Sequence, residues 1–193
     1  MIKSVYIHIP FCKSKCHYCS FISFNKLELL EDYLYALEKE IKHEYEDEEL
    51  NTLYFGGGTP SVLLPYQFEK IISFFNTNQE TEITSELNPE TLNYEYLKSL
   101  YDTGINRISL GCQTFDDRIL KLINRRHKAS QVMCAVKDAQ KAGFKNISLD
   151  FIYGLPEQNC KMFLKDLKQG VELGVEHISL YGLSDRKSTR LNS

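Results

Sequence analysis

Cys12-Lys13-Ser14-Lys15-Cys16-His17-Tyr18-Cys19 sets three thiols in a CxxxCxxC spacing directly after the apolar run Val5-Tyr6-Ile7-His8-Ile9-Pro10-Phe11. A loop that must hold three thiolates within reach of one another constrains the chain on both sides of it. Three thiolates can hold three corners of a cubic iron–sulfur cluster, and the fourth iron is then open to a ligand that is not cysteine. The spacing therefore favours a [4Fe-4S] cluster on Cys12, Cys16 and Cys19. A structural zinc ion is the alternative. It needs four closed ligands, so His17 or His8 would have to complete a Cys3His set, and no second CxxC pair follows. A disulfide framework fits less well, because six cysteines in 193 residues without a signal peptide read as cytosolic thiols.

Three later segments repeat one another: Gly104-Ile105-Asn106-Arg107-Ile108-Ser109-Leu110, Gly143-Phe144-Lys145-Asn146-Ile147-Ser148-Leu149 and Gly174-Val175-Glu176-His177-Ile178-Ser179-Leu180. Each glycine follows an amphipathic stretch and suits the left-handed position that ends a helix, after which β-branched residues open a strand. Helix-then-strand repeats imply a parallel sheet with helices outside it. The earlier half fits the same plan. A strand near Val5–Ile9 leads through the cysteine loop to a helix from Leu27 to Tyr45 with Leu30, Leu34, Leu37 and Ile41 on one face. Thr52–Phe55 is a second strand, followed by Gly56-Gly57-Gly58-Thr59-Pro60 and a helix with Leu64, Phe68, Ile71, Ile72 and Phe75 as its buried stripe. A third strand at Glu82–Leu87 runs into Asn88-Pro89, an N-cap with proline at the first helical position, and that helix is expected to reach Tyr101. Helices near Asp116–Asn124, Ser130–Ala142 and Lys161–Leu173 separate the remaining strands.

The expected fold is α/β, a partial (β/α)6 parallel barrel. Ligands of such barrels sit at the C-terminal ends of the strands, which here carry the three cysteines, Gly56 to Thr59, Glu86, Gly111 and Gln113, Asp150, and Tyr181. The glycine run lacks the lysine of a phosphate-binding loop and is too short for a dinucleotide fingerprint. It allows close backbone approach to a small polar ligand.

Composition narrows the partners. The chain is 42% hydrophobic and 25% charged, enough for a single sizeable core. A net charge of −3 with no basic block gives no nucleic-acid footprint. With no long apolar run and no secretory leader, a cytoplasmic protein is expected. The last nine residues, Asp185-Arg186-Lys187-Ser188-Thr189-Arg190-Leu191-Asn192-Ser193, have no hydrophobic period and match a translated sequencing adapter residue for residue. Residues 1–184 are therefore read as the core domain and 185–193 as an artefact tail, with the natural protein continuing into a C-terminal domain missing from this sequence.

The run Tyr6-Ile7-His8-Ile9-Pro10-Phe11-Cys12 and the cysteine spacing resemble the cluster loop of the radical S-adenosylmethionine (SAM) superfamily, in its oxygen-independent coproporphyrinogen III oxidase-like branch. Further motifs fall in family order: Tyr54-Phe55-Gly56-Gly57-Gly58-Thr59-Pro60-Ser61, Glu86-Leu87-Asn88-Pro89, Ile108-Ser109-Leu110-Gly111-Cys112-Gln113-Thr114-Phe115, Asn124-Arg125-Arg126-His127 and Asp150-Phe151-Ile152-Tyr153-Gly154-Leu155-Pro156. The resemblance implies a [4Fe-4S] cluster whose open iron is chelated by SAM, and reductive cleavage of the sulfonium to methionine and a 5′-deoxyadenosyl radical. Tyr6, Gly57, Thr59, Glu86, Gln113, Arg125 and Asp150 match SAM-contacting positions. Gly57 and Gly58 lie in a stretch that looks like the superfamily's GGE-type segment, and Tyr18 matches an aromatic that packs near the adenine. Chemically, Glu86 suits a cationic or hydroxyl donor, Arg125 a carboxylate and Asp150 hydroxyls.

Within the branch, true dehydrogenases continue the cluster loop with a further cysteine, whereas here Ser20-Phe21 follows Cys19, a CxYCxF form that resembles the HemW-type haem chaperones. That resemblance implies haem or porphyrin as ligand, recipient haem proteins as partners, an electron donor such as a flavodoxin or ferredoxin, and peripheral membrane association through client proteins. The chaperones' HNxxYW stretch does not occur in these residues. Cys112, standing where the branch more often has valine, and Cys134 and Cys160 read as small buried or indifferent thiols. His43, His127 and His177 read as surface or strand residues, and His8 as a satisfied core histidine.

Overall fold

The computed structural model describes residues 3–183. The adapter-like tail lies outside the described residues. Six strands, β1 (Ser4–Ile9), β2 (Thr52–Gly57), β3 (Glu82–Leu87), β4 (Arg107–Gln113), β5 (Asn146–Tyr153) and β6 (His177–Gly182), form one sheet in sequence order. Every neighbouring pair is parallel. The crossovers carry α1 (Leu30–Glu44), α2 (Pro65–Ile72), α3 (Tyr94–Asp102), α4 (Asp117–Leu122) and α5 (Ala129–Ala142), and α6 (Cys160–Glu172). Among the described residues β1 and β6 each pair with one neighbour, so this six-stranded sheet is an open, partial barrel.

Parallel strands covered on both faces are usually apolar throughout. These alternate instead. Ile7 and Ile9, Leu53 and Phe55, Ile108, Leu110 and Cys112, and Ile147, Leu149 and Phe151 are all buried. They share one core with Leu37 and Ile41 of α1, Phe68 and Ile71 of α2, Leu97 and Leu100 of α3, and Val132 and Val136 of α5. The intervening positions carry Tyr54, Glu86, Ser109 and Asp150, whose side chains bond to one another across the opposite face. One face of each strand thus holds the helices, and the other is left to polar chemistry.

The three repeat glycines end their helices as expected, with φ of +100° at Gly104, +116° at Gly143 and +69° at Gly174. Three local expectations need correction. The segment after β3 is not one helix: Asn88 caps a 3-10 turn at Pro89–Thr91, Leu92 is extended, and Asn93 caps α3 separately by accepting from Tyr96 N. Leu64 is 53% exposed and leaves the buried stripe, because it is the N-cap of α2, where its extended backbone turns the side chain away from the face carrying Phe68, Ile71 and Ile72. The Leu27–Tyr45 helix begins as a 3-10 turn at Leu27–Leu29 before α1.

Leu110 is fully buried at the centre of β4. Leu110→Ala should lower the unfolding free energy by roughly 2–5 kcal/mol, read from urea denaturation, whereas Tyr35→Ala on the exposed face of α1 should change it by less than about 0.5 kcal/mol.

Candidate functional site

The cysteine loop is held at its base and its tip. At the base, Cys12 N donates to Phe24 O at 2.9 Å and Phe24 N to Pro10 O at 2.7 Å, which closes residues 12–24 into a loop rooted on β1. Gly58 supports this base: its N–H donates to Ile9 O at 2.9 Å. A β-carbon there would lie 2.7 Å from Phe11 O, so only glycine lets the two backbones meet. At the tip, His17 N donates to Ile123 O at 3.1 Å and Asn124 Nδ2 to Lys15 O at 2.7 Å. His17 Nδ1 lies 3.0 Å from Leu122 O and so carries the proton. The loop is therefore docked on the carbonyl end of α4, groups that a helix otherwise leaves unpaired.

All three thiols are free and half-buried. Cys12 Sγ lies 3.3 Å from Thr59 Oγ1, and Cys16 Sγ lies 3.8 Å from Arg125 Nη1. Arg125 also donates through Nη2 to Gly111 O at 2.7 Å and to Asn88 Oδ1 at 3.4 Å. Its Nε is buried without a partner. Tyr18, beside Cys16 and Cys19, has its phenol pushed up chiefly by burial, so it stays neutral.

Glu86, at the end of β3, accepts from Tyr54 Oη at 2.9 Å and from Gly57 N at 3.2 Å. Burial raises its pKa against these bonds. Gly57 has φ +114°, and a β-carbon on it would strike the His8 ring at 2.7 Å. Asp150 accepts from Ser109 Oγ at 2.9 Å and is likewise raised by burial. Gln113 sits at a β-bulge between β4 and β5 with φ +68°, a conformation non-glycine residues rarely take.

A cavity of about 1470 Å³ opens at this end of the sheet, lined among others by all three cysteines, Tyr18 and Gly57 to Thr59. Glu86, Gln113, Arg125, Asp150 and Tyr181 complete its polar wall. Eleven of the twelve residues singled out from sequence as ligands or cofactor contacts line it. Tyr6 does not: it is 55% exposed, stacks on Tyr54 with ring centroids 5.8 Å apart and bonds His8 Nδ1 through its hydroxyl at 3.1 Å. Among the described residues no three His, Cys, Asp or Glu side chains converge on one ion.

His127 requires correction: it is 2% exposed, not a surface or strand residue. The connection between α4 and α5 folds it inward, where Nε2 meets Cys112 O at 3.2 Å and Nδ1 has no partner. The anchoring roles of Asn124, His17, Asn88 and Ser109 are not foreseen from sequence, although His17 is weighed there as a zinc ligand and Asn88 as an N-cap. Asn124 left a signal of its own, an asparagine just after a helix, and it takes φ +60°.

The family model described as the Radical SAM superfamily matches residues 6–170. The chain belongs to this superfamily. Among curated radical SAM relatives, the haem chaperone HemW of Lactococcus lactis is 41% identical over 93% of this chain and 48% of its own length. HemW of Bacillus subtilis is 39% identical over 94% of this chain and 50% of its own. The oxygen-independent coproporphyrinogen III oxidase of Salmonella typhimurium is 33% identical over 92% of this chain and 41% of its own. The solved coproporphyrinogen III oxidase (HemN) of Escherichia coli, a radical SAM enzyme, superposes with a TM-score of 0.88 at 30% identity, over 96% of this chain and 45% of that one. The chain thus spans about half the length of the relatives it matches.

Burial, with the Arg125 charge adding to it, holds the His127 pKa down to about 3 from 6.5. Between those values the unfolded chain binds the extra proton, so stability rises with pH through the window and levels off above it. The contribution lost on acidification should be on the order of 4 kcal/mol. His127→Gln should flatten that slope between pH 6.5 and 4 in denaturation curves.

Proposed function

We propose that this chain is the SAM- and cluster-binding core of a haem chaperone, with Cys12, Cys16 and Cys19 holding a [4Fe-4S] cluster and SAM lying in the cavity beside it. The observation that carries the reading is the convergence of three free thiols with Gly57, Thr59, Glu86, Arg125 and Asp150 on one cavity wall. The donor set fits both groups: soft thiolates for iron, and for SAM the Arg125 guanidinium and two carboxylates on the cavity wall.

When bound, the cluster and SAM supply one-electron cleavage of the sulfonium. The chain's own residues position and enclose. Thr59 Oγ1 is set to donate to the Cys12 thiolate. Glu86, fixed by Tyr54 and Gly57, would hold the cationic ammonium, Arg125 the carboxylate, and Asp150, held by Ser109, the ribose hydroxyls. Gly58 and Gln113 shape the wall, and Tyr18 offers a ring for the adenine.

Haem delivery rests on two supports: the Cys19-Ser20-Phe21 continuation in place of a fourth nearby cysteine, and the higher identities to haem chaperones than to the oxidase. The reading places the protein in the cytoplasm, reduced by a flavodoxin- or ferredoxin-type donor and handing haem to haem proteins. No helix among the described residues is long and apolar enough to cross a membrane.

Anaerobic reconstitution should load about four irons per chain with broad visible absorption, and Cys16→Ala should lose both. Zinc retained in place of iron would overturn the cluster. For the haem arm, the protein expressed from its complete source gene should bind haemin stoichiometrically and leave coproporphyrinogen III unconsumed. Turnover of coproporphyrinogen would move the assignment to the dehydrogenase.

A further inference from the structure

Arg125 presents a charge-balance problem. Its guanidinium is enclosed, with Nε sealed from water and unpartnered, and among the described residues no carboxylate pairs with it. The nearby acid Glu90 pairs with Arg126 Nε at 3.2 Å and favours the Arg125 cation only through space. The Nη2 partners, Gly111 O and Asn88 Oδ1, are neutral, and His127 on the same connection is held neutral. An enclosed cation without a counter-charge is costly. Among the described residues, the one hydrogen-bonded partner able to carry negative charge is Cys16 Sγ, 3.8 Å from Nη1. Arg125 is also braced at its far side by the ends of β3 and β4, through Asn88 and Gly111, so it cannot swing from the sulfur without losing both bonds.

We infer that Arg125 is a positioning residue for the cluster as well as a SAM contact: its guanidinium neutralises and hydrogen-bonds the Cys16 thiolate and thereby sets the cluster's reduction potential. Adding an electron makes the cluster more negative, and a fixed cation at a ligand sulfur favours that reduced state. The inference rests on the cluster reading proposed above and adds to it which thiolate is tuned and by what group. Because Asn124 adjoins Arg125 and clasps Lys15 O at 2.7 Å, docking of the loop on α4 and placement of the guanidinium are one structural event.

The test is a redox titration of the reconstituted chain without SAM, followed by the electron-spin signal of the reduced cluster. Arg125→Gln should shift the midpoint potential to more negative values at unchanged iron content, and Arg125→Lys, which keeps the charge but not the planar fork, should fall between it and wild type. An Arg125→Gln midpoint equal to wild type overturns the inference while leaving the cluster reading intact. Wild type that takes up no iron overturns both. Should the variants not load, unmutated protein grown with nitrogen-15 arginine decides the question: a labelled-nitrogen coupling to the reduced cluster is expected, and its absence contradicts the contact.

Discussion

Everything at this site depends on the register of the parallel strands. Each strand alternates apolar and polar residues, and pairings such as Glu86 with Ser109 and Gly111 with Asp150 bring the polar phases of adjacent strands into line. A slip of one residue would turn Glu86 and Asp150 into the helix-packed core and bring apolar residues such as Leu149 onto the cavity face. Burial of carboxylates without partners is costly enough to forbid it. The hydrophobic effect that seats the helices therefore also fixes which side chains line the cavity.

The second constraint is the double attachment of the cysteine loop. Thiolates holding the proposed cluster would repel one another and gain nothing from packing, so the backbone must hold them. Here it does so without regular structure: a clasp on β1 and Gly58 at the base, and the carbonyl end of α4 at the tip. The residues between are half-buried or exposed, which leaves the sulfurs open to metal. Around them the environment is graded, with neutral phenols at Tyr18 and Tyr54, carboxylates raised by burial at Glu86 and Asp150, and a guanidinium beside Cys16.

Much of this was legible in the sequence because the signals are local. Glycine ends helices through its own φ, as at Gly143, and alternation within β4 and β5 is a short-range pattern. The polar ends of the strands could be read off directly once the sheet was taken as parallel. What escaped depends on tertiary contacts. His17 meets α4 across 105 positions and Asn124 meets Lys15 across 109, and no spacing rule spans such distances. His127 looked like a surface residue because a histidine in a charged stretch usually is one, and only the fold of the α4–α5 connection buries it. Tyr6 belongs to the polar phase of β1 yet lies off the cavity, since its ring is drawn onto Tyr54.

The central claim is that the cavity beside the three thiols brings SAM to an iron that no protein side chain occupies. The most direct measurement is the electron-spin resonance spectrum of the reduced, reconstituted chain before and after SAM is added. A changed spectrum that reverts when Glu86 and Asp150 are replaced by Ala is the outcome this account predicts. A cluster whose spectrum is indifferent to saturating SAM would contradict it.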